Sequence, residues 1–250
     1  MNLSPIQWQC YVINLDRSRD RWERVEQHFA ALSIPLIRVP AVDGRETPEL
    51  EQKPFFDTWG FAFRCGKKVL PGELGCYASH LKAIRTFLAS KMEFALICED
   101  DALPREDLEQ VLEETIALGG WELLRLVQCR EKSFVPWKKL SGNRFLGTNI
   151  TGFSYAAGYV LSRRGAENVL AKLSVMRQPY DLALFHGWWG IREASVFPCP
   201  ILLDETREMS TIQTCRQHRF LPLAVTHFFY KCYARIWRYT LQTFRVWQRK

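Results

Sequence analysis

The stretch Phe94-Ala95-Leu96-Ile97-Cys98-Glu99-Asp100-Asp101-Ala102-Leu103-Pro104 decides the reading of this chain. An apolar run ends in three adjacent carboxylates. The run predicts a strand buried on both faces. Unpaired acids are too costly to follow it into a core, so they mark the strand's carboxyl end. In an extended segment alternate residues share a face, so Glu99 and Asp101 are expected to point one way and Asp100 the other. Oxygen donors at such a turn suit Mg²⁺ or Mn²⁺, an ion that keeps positions open for substrate phosphates. The plain alternative is a solvated acidic turn.

Outward from this stretch, strands and helices alternate. Residues 10–16 (CYVINLD) and 36–42 (LIRVPAV) are short, β-rich runs, the second closed by Asp43-Gly44. Between them Trp22, Val25, Phe29 and Leu32 recur at helical spacing behind a capping Ser18. Leu74, Ala78, Leu81, Ile84 and Leu88 predict a helix leading into the acidic strand. Asp107 caps a further helix to about Leu118, and ELLRLVQ (122–128) is strand-like. A strand is expected over 154–162, a helix over 163–173 and a strand over 195–203. Residues 45–70, rich in Pro, Gly and aromatics, read as a loop over a site. The pattern predicts an α/β fold with a mainly parallel sheet. Ligands in such sheets sit at the carboxyl ends of the strands, which brings Asn14-Leu15-Asp16, Asp43-Gly44 and Glu99-Asp100-Asp101 to one rim.

The chain has 250 residues and is 47% hydrophobic, enough for a sizeable core. Its eight cysteines include no CxxC pair, which disfavours a zinc ribbon or a thioredoxin-type site. Cys10 and Cys98, inside apolar runs, read as small core residues. P-loop, Rossmann, GxSxG and HExxH signatures are missing from the sequence. The N-terminal residues do not resemble a signal peptide, and no apolar run approaches the length of a membrane span. A reducing, cytoplasmic setting is expected.

The net charge of +7 resides in the tail. No acidic residue follows Glu208, and eight Lys or Arg do, leaving residues 1–208 at −1. This asymmetry argues against nucleic acid as a partner. Lys231, Arg235, Arg238, Arg245 and Arg249 share one side of a helix, with Phe229, Tyr233, Ile236, Phe244 and Trp247 expected opposite. A basic face against an aromatic one fits an amphipathic helix on an anionic membrane, and a helix docked on the protein is the alternative. The expected organisation is a catalytic domain over residues 1–212 and a basic, aromatic helical tail over 213–250.

Four ordered motifs, YVINLDRSRDRWERV, VPAVDGRE, PGELGCYASHLKAIRTFL and ALICEDDALP, resemble glycosyltransferase family 25. That family holds bacterial lipooligosaccharide galactosyltransferases and related collagen galactosyltransferases. AAGYVLSRRGAENVL and QPYDLALF extend the resemblance, which covers about residues 10–212. Cys98 stands where a second aliphatic residue is usual, and HGWWGIREASVF (186–197) has no familiar counterpart. The resemblance implies a GT-A-like fold and a UDP-sugar donor, most often UDP-galactose. It also implies inverting transfer to a hydroxyl of a lipid-linked oligosaccharide, at the inner face of the bacterial cytoplasmic membrane. Glu99-Asp100-Asp101 takes the part of the acidic metal motif for Mn²⁺ (or Mg²⁺), with Glu99 and Asp101 as ligands and His186 as a further one.

In that frame Asn14, Arg17, Asp43, Gly44, Ser79, His80 and Asp100 are candidate contacts to the nucleotide-sugar. Arg17, Arg19 and Arg21 are close enough for one to offset diphosphate charge, although a solvated helix start is the simpler reading of Arg19. Asp43-Gly44 also suits an ordinary turn, and a helical His80 also suits packing. Inverting transfer needs one general base, and Asp181 in QPYDLALF is the candidate, with a helix N-cap as its alternative role. Trp59, Trp188 and Trp189 are candidate sugar-stacking residues. A non-catalytic glycan- or lipid-binding scaffold is the competing functional reading.

Overall fold

The computed structural model describes residues 8–47, 49, 54–151, 155–204 and 221–248. In chain order the elements are β1 (Trp8–Asn14), α1 (Arg19–Phe29), β2 (Leu36–Pro40), α2 (Thr58–Cys65), α3 (Pro71–Ala89) and β3 (Phe94–Glu99). There follow β4 (Ala102–Pro104), α4 (Leu108–Leu118), β5 (Leu123–Arg125), β6 (Phe134–Lys139), β7 (Phe145–Asn149) and β8 (Gly158–Ser162). The remainder is α5 (Arg163–Leu173), α6 (Tyr180–Leu184), β9 (Glu193–Phe197), β10 (Ile201–Leu203) and α7 (Leu221–Trp247). The boundary expected between residues 212 and 213 lies outside the described residues.

The main sheet has the order β2-β1-β3-β8-β5-β9-β7-β6. β2, β1, β3, β5, β9 and β6 run in one direction, while β8 and β7 run against them. The parallel strand direction expected from the sequence therefore predominates, and the two reversed strands make the sheet mixed. β10 and β4 form a separate antiparallel pair. The architecture is α/β, with a C-terminal helix.

The period-2 pattern explains why the sheet forms. Tyr11, Ile13, Ala95 and Ile97 face one core, with α3, α5 and α6 packed over it. Cys10, Val12, Leu96 and Cys98 face the other core, under α1 and α4. β1 and β3 are thus apolar on both faces, and Cys10 and Cys98 are the small core residues their surroundings predict. Each fully buried Ile, Leu or Phe contributes roughly 1.5–3 kcal/mol.

α2 arises where the sequence reads as a loop. Asp57 caps it by accepting from Gly60 N at 2.8 Å, and Gly66 closes it at φ 68°. Eight residues containing Gly60 and three aromatics give a weak periodic signal, and the two caps define the helix. α3 begins at Pro71, where Glu73 reaches back to Leu70 N at 2.9 Å.

The tail forms a helix, as expected, but its faces are used differently. Arg238 is 6% exposed and pairs with Glu193 at 2.8 Å. It also donates to the carbonyls of Phe185 and Asn149. Gln242 reaches the same carboxylate at 3.1 Å, Trp237 Nε1 donates to Gly187 O at 2.9 Å, and Arg245 donates to Trp188 O at 2.7 Å. Two residues assigned to the basic face, Arg238 and Arg245, thus point into the protein. The outward stripe is apolar: Val225, Phe229, Ile236 (68% exposed) and Trp247 (71% exposed), flanked by Phe228, Tyr233 and Tyr239. Lys231 and Arg235 remain exposed, and Arg249 lies outside the described residues. Arginine's fork satisfies several buried acceptors at once, which helical spacing alone does not reveal.

Candidate functional site

β1, β2 and β3 end at one open pocket of about 700 Å³ including its mouth. The end of β1 and the start of α1 bring Leu15, Arg17 and Arg21 to it. The segment after β2 supplies Asp43, Gly44 and Arg45. α3 contributes Gly72, Cys76, Ser79 and His80, the end of β3 contributes Glu99 and the turn after it Asp100. The rim of strand ends inferred from the sequence is therefore assembled.

The close approach of α3 to the segment after β2 depends on glycine. A Cβ on Gly75 would meet Val42 O at 2.5 Å and Gly44 N at 2.6 Å. Ser79 fastens the contact by accepting from Val42 N at 2.8 Å and donating to Gly75 O at 2.6 Å. Gly75→Ala is expected to push α3 off this segment and widen the pocket, read as faster amide exchange at Val42 with helix content retained.

Charges of both signs are fixed around the pocket. Arg17 pairs with Asp43. Asp100 accepts from Arg21 at 3.1 Å and from Asn14 Nδ2 at 2.9 Å, and Arg38 braces Asn14 Oδ1 at 3.0 Å. Asn14 is buried behind the pocket and acts on Asp100 rather than lining the cavity. The expected alternation fails at the acidic triplet because β3 stops at Glu99 and residues 100 and 101 form a turn. Glu99 and Asp100 both reach the pocket, whereas Asp101 is buried and does not line it.

A chain of polar contacts runs from Glu99 to α6. His80 Nε2 lies 3.3 Å from Glu99 Oε1, and His80 Nδ1 lies 3.1 Å from the Tyr159 hydroxyl. That hydroxyl is 2.9 Å from the Tyr180 hydroxyl, and the His80 ring stacks on Tyr180 at 4.0 Å. Asp181 follows directly. Burial pushes its carboxyl above the usual range against the opposing hydrogen bond from Leu182 N, and Glu99 adds to the rise. Asp181 stands at the second position of α6, with Pro179 at the cap, so it is not the N-cap. The Cys76 thiol is also pushed up, by burial first and then by Glu99, Asp181, Glu73 and Asp101. Asp181 itself is not among the residues that line the pocket.

Other candidates lie elsewhere. His186 stacks on Tyr230 of α7 at 6.4 Å and leans on Trp188 at 5.1 Å, outside the pocket. Burial and then Arg64 and Arg238 push its imidazole down to about 4. It does not join Glu99 and Asp101 as a ligand group. Among the described residues, the group of three close donors is Cys76, His80 and Glu99, with donor atoms within 4.8 Å of one another. Trp188 packs on the core, and Trp59 (85% exposed) and Trp189 stand out from the surface. None of the three tryptophans lines the pocket. The sequence reading missed Cys76, whose i,i+4 spacing to His80 puts both on one side of α3. It also missed Arg45, Tyr159 and Tyr180, which carry no short-range signal.

Mn²⁺ or Mg²⁺ takes hard oxygen donors, and the carboxylates of Glu99 and Asp100 present them to the pocket. The residues present fit such an ion there, with Asp100 already oriented by Asn14 and Arg21. No helix among the described residues is long and apolar enough to cross a membrane.

The chain is 30% identical over 173 residues to a glycosyltransferase 25 family member of Aedes aegypti, covering 64% of this chain and 27% of that protein. It is 24% identical over 220 residues to human procollagen galactosyltransferase 2, covering 79% and 35%. It is 26% identical over 187 residues to the lipooligosaccharide biosynthesis protein lic2B of Haemophilus influenzae, covering 70% and 66%. The chain spans about a quarter to a third of the length of the animal relatives. Among solved structures, residues 1–349 of S. aureus TarS align at a TM-score of 0.46 and 11% identity, covering 79% of this chain and 60% of that one. The family model for glycosyltransferase family 25 (LPS biosynthesis protein) matches residues 7–184, a span that takes in every strand end of the pocket as well as Asp181. By that match the chain belongs to glycosyltransferase family 25.

Proposed function

We propose that the protein is an inverting hexosyltransferase that moves galactose from UDP-galactose onto a hydroxyl of a lipooligosaccharide or lipopolysaccharide glycan. The observation that carries the reading is the pocket itself, in which three arginines and three carboxylates meet at the ends of parallel strands in a family 25 chain. Arg17, Arg21 and Arg45 attract and orient the diphosphate. The first turn of α3, at Gly72, offers backbone N–H groups and a positive helix end to the same anion. Asp43 accepts from the base or ribose. Glu99 and Asp100 would hold a divalent ion, which when bound would supply charge neutralisation for the leaving diphosphate. Asp181 takes the proton of the acceptor hydroxyl as that oxygen attacks the anomeric carbon from the face opposite the diphosphate.

The test is incubation with a panel of UDP- and GDP-sugars plus Mn²⁺, measuring released nucleotide and the anomeric configuration of the product. Turnover with UDP-galactose, lost in EDTA and restored by Mn²⁺, is the expected result. Donor binding without turnover on any acceptor would leave the scaffold reading in its place. Asp100→Ala is expected to raise the KM for the donor at least about tenfold, equivalent to roughly 1.4 kcal/mol, because it removes a metal oxygen and frees Arg21 and Asn14 together.

The acceptor in this reading is lipid-linked, and α7 supplies the means to reach it. Its outward apolar stripe, on a helix that also exposes Lys231 and Arg235 and has no acidic residue after Glu208, suits an anionic bilayer. Its inner face grips residues 178–188, the segment that carries Asp181. The protein would then work peripherally on the cytoplasmic side of the bacterial inner membrane. Vesicles of phosphatidylglycerol and phosphatidylethanolamine are expected to retain the protein, and Phe229→Glu with Ile236→Glu to release it while donor hydrolysis persists. A concentration-dependent dimer abolished by the same pair of substitutions would assign the stripe to a second copy instead.

A further inference from the structure

We propose that Cys76, His80 and Glu99 form a thiolate-containing site for a borderline divalent transition metal, of the zinc type, at the floor of the pocket. Their Sγ, ring-nitrogen and carboxylate atoms lie within 4.8 Å of one another, on two elements fixed by the core. Side-chain shifts under about 1 Å would bring such atoms to metal bonds of about 2.0–2.3 Å. Sulfur, imidazole and carboxylate together select zinc-like ions over Mg²⁺ or Ca²⁺. Three protein donors leave a position open, and all three residues line the pocket, so that position faces the cavity. Glu99 is common to this set and to the Glu99–Asp100 pair, so the two ions are alternative occupants and not simultaneous ones.

The second observation is how His80 is held. Its Nε2 is directed at Glu99, and its Nδ1 contacts the Tyr159 hydroxyl at 3.1 Å. Tyr159 is fixed in turn by Tyr180, on whose ring His80 stacks. A ligating histidine whose other nitrogen is fixed in this way has its tautomer and ring plane set before the ion arrives. On binding, a metal–sulfur bond replaces the thiol's S–H bond and the proton leaves to solvent.

The inference rests on the transferase reading only for what fills the open position, a phosphate oxygen of the donor. Metal binding is tested apart from it. The full chain, stripped with EDTA, is titrated with Co²⁺ in the absence of any nucleotide. The expected result is one equivalent bound, with a thiolate-to-cobalt charge-transfer band in the near ultraviolet, displaced by Zn²⁺. Cys76→Ser is expected to abolish the band and weaken Co²⁺ binding at least tenfold, while Asp100→Ala keeps the band. Cys129 N approaches Cys199 Sγ at 3.1 Å, so a Cys129→Ser, Cys199→Ser variant serves as the control and should retain it. A folded wild-type protein without the band, or a band that survives Cys76→Ser, would overturn the proposal. Band loss in Cys76→Ser alongside failure of every UDP-sugar would overturn the transferase reading and leave the metal site standing.

Discussion

Asp181→Asn is expected to lower kcat at least a hundredfold and leave donor affinity nearly unchanged. General-base assistance contributes about 10²–10⁴ in rate, and an amide keeps the shape without accepting the proton. The pH profile supplies a second readout. Burial and Glu99 hold the Asp181 carboxyl above its ordinary range, so the acid limb of kcat/KM should sit above that of a surface carboxylate and vanish in the variant. Stability should move the other way. Because the folded pKa is raised, the native state binds the proton more tightly than the unfolded state does. Stability is therefore lost as pH rises from the unfolded value through the folded one. Asp181→Asn removes that loss, so its Tm at neutral pH should exceed that of the parent. A variant with less than a tenfold fall in rate would place the base elsewhere. Glu193 is then a poor substitute, since it is buried and held by Arg238 and Arg125.

Arg238→Ala should produce the largest loss of stability, about 3–5 kcal/mol, because it leaves Glu193 with one of its buried cations removed. For a chain of this size that is on the order of 10 °C in Tm. The same change removes the donors to Phe185 O and Asn149 O, so α7 loses its central attachment to the sheet and to the Asp181 segment. Denaturation of Arg238→Met, Glu193→Gln and the double variant closes a cycle, and the double should cost at least about 1 kcal/mol less than the sum of the singles. Strict additivity would show that the pair is not coupled and that α7 is held by its other contacts.

The sequence by itself determined the α/β class, strands expected over 10–16 and 94–98, a helix over 71–90 and the meeting of three strand ends at one rim. These follow from local periodicity. β1 and β3 are apolar on both faces, α3 carries one apolar stripe, and polar residues must leave a core where a strand ends. Its ordered motifs also carried the family. Only the tertiary structure decided which acids of the triplet meet the pocket, because a turn at residues 100–101 breaks the period-2 rule on which the assignment of Asp101 depended. It alone moved His186 away from Glu99 and brought in Cys76, since ligand sets are chosen by distances between elements remote in sequence. It also turned two arginines of the tail inward. Helical spacing fixes which residues share a side, but the side that docks is chosen by partners more than forty residues away, and Glu193 is one of them.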